Sequence, residues 1–332
     1  MKHAPVLLIG GYGAVGRWTS RFLREAHPHL ELLIGGRDLA KASAFAAELG
    51  HAEGVAVELD QPDLGLGDRA ISAIALIVKD ERHTALRFAQ ARRVPHVSIS
   101  SASFEIAPEV STFMHDPGAC AVVLGGEWLA GAATLPALYF AKKFAQLDDI
   151  RIDVVLDEQD GGGPAAQSDI RTIAEIAPAA LTRRDGKYYW RAGDDAKVVI
   201  HALDGTALEG SGNSPFDIAA LATATGAPNV QLNIAVGVTS SRRRGEPASH
   251  EILITLAGTT RAGESVRERH AIVHPQGEAP LTALGVAMMV EQVLGLSGKA
   301  LASPGLYYPE HLIAPEAYMP RLRAIGALVR DA

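Results

Sequence analysis

The stretch Pro5-Val-Leu-Leu-Ile-Gly-Gly-Tyr-Gly-Ala-Val-Gly16 decides how the rest of the chain is interpreted. Val6–Ile9 is a short uninterrupted apolar run, which is typical of a strand buried on both faces of a parallel sheet. The six residues that follow have the spacing G-x-G-x-x-G, and apolar residues then recur at helical intervals. Such glycines permit a tight turn, a close approach to a pyrophosphate and close helix packing. With a strand before it and a helix after it, the pattern predicts a dinucleotide site formed by Gly11, Tyr12, Gly13, Ala14, Val15 and Gly16.

The end of the second predicted strand indicates which dinucleotide binds. Residues 30–34 are apolar and lead into Gly35-Gly36-Arg37-Asp38. An NAD site usually has Asp or Glu about 20 residues beyond the glycines, where it accepts hydrogen bonds from the ribose. Here that position holds Gly36 and Arg37, and a guanidinium binds a 2′-phosphate that a carboxylate would repel. Asp38 is interpreted as the N-cap of the next helix, so the sequence predicts NADP.

Length and composition set outer limits on the fold and the partners. A chain of 332 residues exceeds one typical core, so two domains are expected. The net charge of −7 and the lack of a persistently basic region argue against a nucleic-acid partner. The single cysteine, Cys120, excludes an intrachain disulfide and fits a reducing cytoplasm. No signal peptide and no long uncharged apolar stretch are found, so neither a membrane partner nor secretion is expected.

The periodicity of the chain changes near Gly125-Gly126. Before this point, apolar strands at 55–60, 70–78, 96–100 and 120–124 alternate with helices, which is the βαβ pattern of a doubly wound parallel sheet. Beyond it, six segments alternate apolar and polar residues, as antiparallel strands with one solvated face do. They lie at 150–157, 188–191, 197–201, 230–237, 250–257 and 265–273, with helices at 128–144, broken near Pro136, and at 279–294.

These patterns predict an α/β protein with two domains. Residues 1–125 are expected to form a Rossmann-type dinucleotide-binding domain. Residues 126–299 are expected to form an α+β domain on a mixed or antiparallel sheet, which binds the substrate and forms the dimer. The C-terminal segment 300–332 is expected to pack back on the first domain.

Several of these segments resemble saccharopine dehydrogenase-like oxidoreductases. The resemblance rests on the glycine segment, on Gly35-Gly-Arg-Asp38, on Ala40-Lys-Ala-Ser-Ala-Phe45 and on the tail that begins at Ser303 and continues through Glu316 to Leu322 and Gly326. It implies a Rossmann-type domain, a second domain built on a sheet, often a dimer, and NADP-dependent reduction of a C=N bond or the reverse. Saccharopine-forming enzymes tend to carry a Pro-Gly pair where this chain has Leu129-Ala130-Gly131, which argues against saccharopine itself as the substrate.

The chemistry requires a proton source and an anion-binding cation beside the nicotinamide, which itself carries out hydride transfer. Lys79 follows the fourth strand, and Glu127 and Trp128 follow the sixth; ligands of such sheets bind beyond these strand ends. Lys79 and Glu127 are therefore predicted to be catalytic, with Lys79 also touching the cofactor and Trp128 the substrate, in a crevice between the domains. The plainer alternatives are an exposed loop lysine and a carboxylate that complements a helix dipole.

Further candidates are assigned by position alone. Asp60 is predicted to accept a hydrogen bond from the adenine amino group, with a solvated turn as its alternative, and Ser100 ends the fifth strand beside the cofactor. Arg171, beyond the glycine loop at 161–163, is assigned to the substrate. Cys120 is interpreted as a buried strand residue rather than a nucleophile. His201 and His250, at strand ends, are additional candidate acids. No Cys/His cluster has metal-ligand spacing, so no metal is predicted.

The leading interpretation is an NADP-dependent oxidoreductase, a cytoplasmic homodimer, acting on the C=N bond of a small amino-acid-like metabolite. An enoyl or carbonyl reductase is an alternative that the same fold serves. A non-catalytic NADP-binding sensor or structural protein is another, because the second domain shows no unmistakable catalytic acid.

Overall fold

A computed structural model describes residues 4–99, 105–160, 179–298 and 301–332. The chain forms two compact units. The first unit contains Met1–Gly126 and Thr282–Ile313, and the second contains Glu127–Leu281 and Ala314–Ala332. Within the described residues, no helix is both long enough and apolar enough to cross a bilayer.

The described strands are β1 (Val6–Ile9), β2 (Leu32–Gly36), β3 (Ala52–Ala56), β4 (Ala73–Leu76), β5 (His96–Ser98), β6 (Ala121–Leu124), β7 (Phe144–Asp157), β8 (Ala179–Arg184), β9 (Lys187–Ala192), β10 (Lys197–His201), β11 (Ala207–Asn213), β12 (Asn229–Gly237), β13 (His250–Thr260), β14 (Ser265–His274), β15 (Gly305–Tyr307) and β16 (Leu328–Asp331). The described α-helices are α1 (Ala14–Ala26), α2 (Leu39–Leu49), α3 (Thr84–Arg92), α4 (Ile106–Met114), α5 (Thr134–Ala141), α6 (Asp217–Thr225), α7 (Ser240–Arg243), α8 (Ala279–Val293), α9 (Pro309–Leu312) and α10 (Pro315–Ala324).

The first unit is built on a seven-stranded sheet in the order β15-β6-β5-β4-β1-β2-β3. All of its strand pairs are parallel. Both β1 and β4 consist entirely of buried residues, as a strand covered on both faces requires. The order reverses between β1 and β4, which is the switch point where doubly wound sheets bind nucleotides. The predicted Rossmann-type architecture is confirmed.

The second unit is built on a mixed sheet with the path β10-β11-β12-β7-β13-β14-β16, and β8 and β9 extend from β12. The long central strands β7 and β12 run parallel over nine residue pairs, from Asn229↔Asp149 to Gly237↔Asp157. The other pairs are antiparallel. The predicted α+β architecture on a mixed sheet is therefore confirmed.

Several element bounds differ from the predicted ones for identifiable reasons. The third strand ends at Ala56 rather than at residue 60, and a turn begins shortly after it. The helix predicted over 128–144 extends only over Thr134–Ala141. The residues before it cannot continue the helix, because Leu129, Ala130 and Gly131 have positive φ angles. Pro136 does not break this helix; it lies in the first turn, where its missing N–H is tolerated.

The tail, predicted to pack on the first domain, is divided between the two units. β15 lies beside β6 in the first sheet, with Leu306 opposite Val122. Residues from Ala314 onward belong to the second unit, where β16 pairs with β14 and places Leu328 opposite Val273. Pairing with β16 satisfies backbone groups that β14 would otherwise leave open at a sheet edge.

Candidate functional site

The glycine loop of the first unit joins β1 to helix α1. Gly10 has φ +88°, which reverses the chain after β1. A Cβ atom at Gly16 would lie 2.2 Å from the Gly10 carbonyl oxygen, so helix α1 packs too closely for any side chain there. At Gly13 a Cβ atom would make one tight contact, at 3.2 Å from the Gly10 carbonyl oxygen, so a side chain there is less obstructed than at Gly16. Among the described residues no side chain caps the start of α1, so its backbone N–H groups suit an anion.

Tyr12 connects this loop to the end of β2. A Cβ atom at Gly36 would lie 2.3 Å from the Tyr12 ring, so the ring lies directly on that glycine. The Asp38 carboxylate accepts a hydrogen bond from the backbone N–H of Lys41 at 3.0 Å and caps helix α2. This bond and the Lys41 ammonium lower the pKa of Asp38. Asp38 is therefore the N-cap of helix α2, as predicted.

Arg37 lies between Gly36 and Asp38 in the chain, and its side chain is exposed. It makes no hydrogen bond or ion pair with any residue that the structure describes. Neighbouring arginines on α1 are engaged, since Arg17 and Arg21 both pair with Glu48. Arg37 is thus a cation available to an anionic ligand at the end of β2.

The other predicted cofactor residues are Asp60, Lys79 and Ser100, and their surroundings differ. Asp60 is exposed in a turn four residues beyond β3. The residue of this segment that packs on Gly35, at the end of β2, is Val57. Lys79 follows β4 and forms an ion pair with Glu105, so it already has a carboxylate partner. Asp80, next to it, is buried and accepts a hydrogen bond from Ala85 at the start of α3. Ser100, Arg171 and the glycine loop at 161–163 lie outside the described residues.

Cys120 is buried immediately before β6. Burial, together with the charge of Asp116, raises the pKa of its thiol to about 11. A thiol in this state is protonated at neutral pH and is a poor nucleophile. The interpretation as an ordinary buried residue fits this environment.

In the second unit, Glu127 is buried and its two carboxylate oxygens are inaccessible to solvent. Burial and the charge of Glu127 raise the pKa of Tyr318, a fully buried residue of α10. Glu127 therefore faces the interior of the unit, where its charge acts on the hydroxyl group of Tyr318.

Residues after Glu127 form a left-handed turn. Leu129, Ala130 and Gly131 have φ values of +49°, +57° and +96°. This conformation costs a non-glycine residue roughly 1–2 kcal/mol, so the surroundings must impose it. Asp217, fully buried at the start of α6, accepts hydrogen bonds from the Trp128 N–H at 2.5 Å and from the Thr134 hydroxyl at 2.7 Å. One carboxylate thus holds both ends of the turn.

The turn brings the Trp128 ring onto His250, the first residue of β13. The two rings stack with 5.9 Å between centroids and an interplanar angle of 26°. The indole Nε1–H donates a hydrogen bond to His250 Nε2 at 3.2 Å. An indole nitrogen can only donate, so His250 Nε2 carries a lone pair and, in the neutral ring, Nδ1 carries the proton.

Two carboxylates lie near His250, and one of them faces its Nδ1 atom. Asp160 Oδ2 is 3.6 Å from it and also accepts a hydrogen bond from the backbone N–H of Glu278 at 3.0 Å. One side-chain atom of each residue, Asp160, His250 and Glu278, lies within 4.8 Å of the others. His250 is fully buried, whereas the two acids are partly exposed. Sequence reasoning singled out only His250, because Asp160 and Glu278 are 118 positions apart and carry no local signal.

No protein-family model and no curated protein sequence matches the chain. Among solved structures, apo saccharopine dehydrogenase (L-Glu forming) from Saccharomyces cerevisiae superposes with a TM-score of 0.70 at 12% identity, over 99% of this chain and 100% of that one. This chain has the saccharopine dehydrogenase fold. Two further structures have lower scores. GenD2 from gentamicin A biosynthesis, in complex with NAD, has a TM-score of 0.48 at 14% identity over 100% and 97% of the two chains. A myo-inositol dehydrogenase from Corynebacterium glutamicum has 0.47 at 14% identity over 99% and 98%. The resemblance seen in the sequence is confirmed at the level of the fold.

Proposed function

We propose that the protein is a nicotinamide-dinucleotide-dependent oxidoreductase. The observation that carries this proposal is the open start of helix α1 beside Gly13, at the switch point of a parallel sheet with Rossmann order. Backbone N–H groups there fit a pyrophosphate, and a side chain at Gly13 would occupy its place. The fold shared with saccharopine dehydrogenase supports the same class of reaction.

We further propose that NADP is preferred over NAD. Arg37 is exposed and engages no described residue, while the neighbouring Asp38 is held at the start of α2. A guanidinium in this place would bind the 2′-phosphate through two parallel hydrogen bonds. The remaining cofactor residues, Asp60, Lys79 and Ser100, stay proposals from the sequence.

The proposed reaction is hydride transfer to or from the C=N bond of a small amino-acid-like metabolite. The nicotinamide, when bound, supplies or accepts the hydride, and the protein binds the substrate and manages one proton. Lys79, Glu127, Trp128 and Arg171 are the residues that the sequence proposes for these tasks. Both carboxylate oxygens of Glu127 are inaccessible to solvent in the second unit.

The wider assignments also remain proposals. They are a substrate-binding role for the second unit, a homodimer and a cytoplasmic location. Reduction of an enoyl or carbonyl group and a non-catalytic sensor role are the alternatives to C=N chemistry.

Cofactor binding and turnover separate these possibilities. Calorimetric titration with NADPH and NADH tests the cofactor site, and loss of NADPH absorbance with imine, carbonyl and enoyl compounds tests the reaction. We expect NADPH to bind more tightly and to be oxidised with a compound containing a C=N bond. Binding without turnover of any compound would favour the sensor, and failure of both nucleotides to bind would overturn the proposal.

A further inference from the structure

Tyr12 is the second residue of the glycine loop, and its side chain reaches the end of β2. That strand ends at Gly36, the position where NAD sites carry the carboxylate that binds the ribose. We propose that Tyr12 determines which nucleotide this site selects. Its ring takes the place of that carboxylate, and its hydroxyl group donates a hydrogen bond to the 2′-phosphate of NADP beside Arg37. The inference rests on the proposed nicotinamide-dinucleotide function and assigns a further residue to its selectivity.

The space above Gly36 is filled by the Tyr12 ring. A Cβ atom at Gly36 would lie 2.3 Å from Tyr12 Cε1 and 2.8 Å from both Cζ and Oη, and these are its three nearest atoms. The backbone of Gly36 is not left-handed, so the main chain at this position tolerates any residue. The ring is therefore what excludes a side chain, and with it a carboxylate, from the end of β2.

Two hydrogen bonds hold Tyr12 in this position. At its main chain, Arg17 of helix α1 donates its Nε–H to the Tyr12 carbonyl oxygen at 3.1 Å. At the end of its side chain, the backbone N–H of Asp38 donates to Tyr12 Oη at 3.1 Å. Arg17 is itself fixed, because it pairs with Glu48 and lies over the Phe45 ring. A side chain beneath the tyrosine ring would have to break one of these contacts.

The Tyr12 hydroxyl group also has a hydrogen to donate. A phenol oxygen accepts and donates at the same time. Here it accepts the Asp38 N–H, and no acceptor for its own hydrogen is found among the residues that the structure describes. Arg37 precedes Asp38 in the chain, and its exposed guanidinium engages no described residue either. A hydroxyl donor and a guanidinium on either side of one peptide unit suit the oxygens of a phosphate monoester.

The charges at this turn are consistent with a phosphate. The negative charge of Asp38 already has a partner, because Lys41 Nζ lies 3.2 Å from Asp38 Oδ2 and the Lys41 N–H donates to Oδ1 at 3.0 Å. Arg37 adds a positive charge without a described partner. A carboxylate on residue 36 would add a negative charge and repel the phosphate. Tyr12 thus favours NADP both by excluding that carboxylate and by donating to the phosphate.

Tyr12→Phe keeps the ring and removes the hydroxyl group. Calorimetric titration uses NADPH and NADH, and also adenosine 2′,5′-bisphosphate and adenosine 5′-monophosphate, which differ only in the 2′-phosphate. We expect affinity for the two ligands with a 2′-phosphate to fall about tenfold, as for one lost hydrogen bond to a charged group, and affinity for the other two to change less than about twofold. Tyr307→Phe is the matched control at the opposite end of the same sheet, where the hydroxyl donates to the Ser303 carbonyl, and should change none of the affinities. No loss, or an equal loss for all four ligands, would overturn the phosphate contact.

A double-mutant cycle separates a direct contact from an effect through Arg37. In an Arg37→Ala background, Tyr12→Phe should still weaken NADPH binding more than NADH binding, because the hydroxyl group donates on its own. If the effect of Tyr12→Phe disappears in this background, Tyr12 only positions Arg37, and the direct contact is wrong.

Gly36→Asp tests exclusion by the ring. Alone, it should lower thermal stability, because its Cβ would collide with Tyr12. In a Tyr12→Ala background the same substitution should cost little stability and should reverse the preference from NADPH to NADH. Gly35→Asp is the control, since its Cβ would lie 2.9 Å from Val57 Cγ2 and 3.2 Å from Leu7 Cδ1, and Tyr12→Ala should not rescue it. Equal destabilisation by Gly36→Asp in both backgrounds, or an unchanged preference for NADPH in the double variant, would contradict exclusion by the ring.

Nucleotide binding by the wild type distinguishes the possible failures. If no nucleotide binds, the proposed function fails and the role of Tyr12 fails with it. If NADH binds more tightly than NADPH, the dinucleotide function stands, while the NADP preference and the role of Tyr12 are wrong. If NADPH binds more tightly than NADH by the same ratio in the wild type and in Tyr12→Phe, the phosphate contact of Tyr12 fails alone.

Discussion

The hydroxyl group of Tyr12 accepts a hydrogen bond from the backbone N–H of Asp38, with 3.1 Å between the two atoms. The bond joins the glycine loop after β1 to the turn after β2, and the Tyr12 ring covers Gly36 between them. Arg37 is therefore flanked on both sides by backbone that Tyr12 holds in place. A cation fixed in this way reaches an anion with little loss of backbone freedom on binding.

Replacement of Arg37 by Ala should weaken NADPH binding far more than NADH binding. Loss of a charge-assisted bidentate contact is worth on the order of 2 kcal/mol, or roughly 30-fold in affinity. Calorimetric titration with both nucleotides measures the difference. Arg21→Ala is the control, because Arg21 is bound to Glu48 and should not affect selectivity. Equal losses for the two nucleotides would show that Arg37 does not contact the 2′-phosphate.

Two glycine substitutions should separate binding from folding. At Gly13→Val the new Cβ would make one tight contact, at 3.2 Å from the Gly10 carbonyl oxygen, so the variant should lose less stability than Gly16→Ala while its side chain excludes the pyrophosphate. At Gly16→Ala the Cβ would be 2.2 Å from a backbone oxygen, so this variant should lose thermal stability. NADPH titration and thermal unfolding of both variants check these outcomes. Unchanged NADPH affinity in Gly13→Val would mean that the motif is only a tight turn.

Ala130→Gly should stabilise the second unit. Ala130 has φ +57°, and relief of this left-handed strain is worth on the order of 1 kcal/mol, partly offset by the greater freedom of glycine in the unfolded chain. Ala132→Gly is the matched control. Ala132 is equally buried but lies outside the left-handed turn, so glycine there should destabilise by roughly 0.5–1 kcal/mol. Urea unfolding compares the two; a loss of stability in both would indicate that the turn is unstrained.

Stability of the first unit should fall as the pH drops below neutrality, in part because of His96. Burial lowers the pKa of His96 to about 3, and neither ring nitrogen has a hydrogen-bond partner among the described residues. The unfolded chain takes up a proton near pH 6.5, where the folded chain does not, so protonation favours unfolding. Between that pH and about pH 5 the loss should approach 2 kcal/mol.

His96→Leu removes this titration and should make stability less dependent on pH over the same interval. Urea unfolding followed by Trp18, which lies in α1 of the first unit, is a suitable measurement. His29→Leu changes an exposed histidine and should leave the pH dependence as it is. An identical pH dependence in His96→Leu and the wild type would contradict the assignment.

Local patterns in the sequence predicted most of the first unit. A buried strand, three spaced glycines and an Asp before a helix each act over a few residues, so the loop, the N-cap and the strand alternation follow from short-range rules. The predicted end of the third strand, at residue 60, was wrong because the alternation of apolar and polar residues continues past Ala56 into a turn. Nothing in a pattern of period two reveals that β7 and β12 run parallel.

The second unit depends on contacts that sequence spacing does not show. β11 was missed because its glycines indicate a loop, yet a Cβ at Gly210 would lie 2.7 Å from the Ile234 oxygen and a Cβ at Gly212 would lie 2.5 Å from Arg191. Asp217 looks like an ordinary helix-start acid but holds the turn at Trp128. The cluster of Asp160, His250 and Glu278 combines residues from three distant segments, and only the folded sheet brings them together.

The division of the chain into two units affects how it can be synthesised. The chain passes from one unit to the other after Gly126, within α8 after Leu281, and again after Ile313. The first sheet acquires β15 only from residues 305–307, long after its other six strands have left the ribosome. A fragment ending at residue 126 would lack this edge strand and the whole of α8, whose Met289 lies beside Gly125. Neither unit can therefore be cut from the gene as one continuous segment, and the nascent chain completes the first unit only after most of the second has been synthesised.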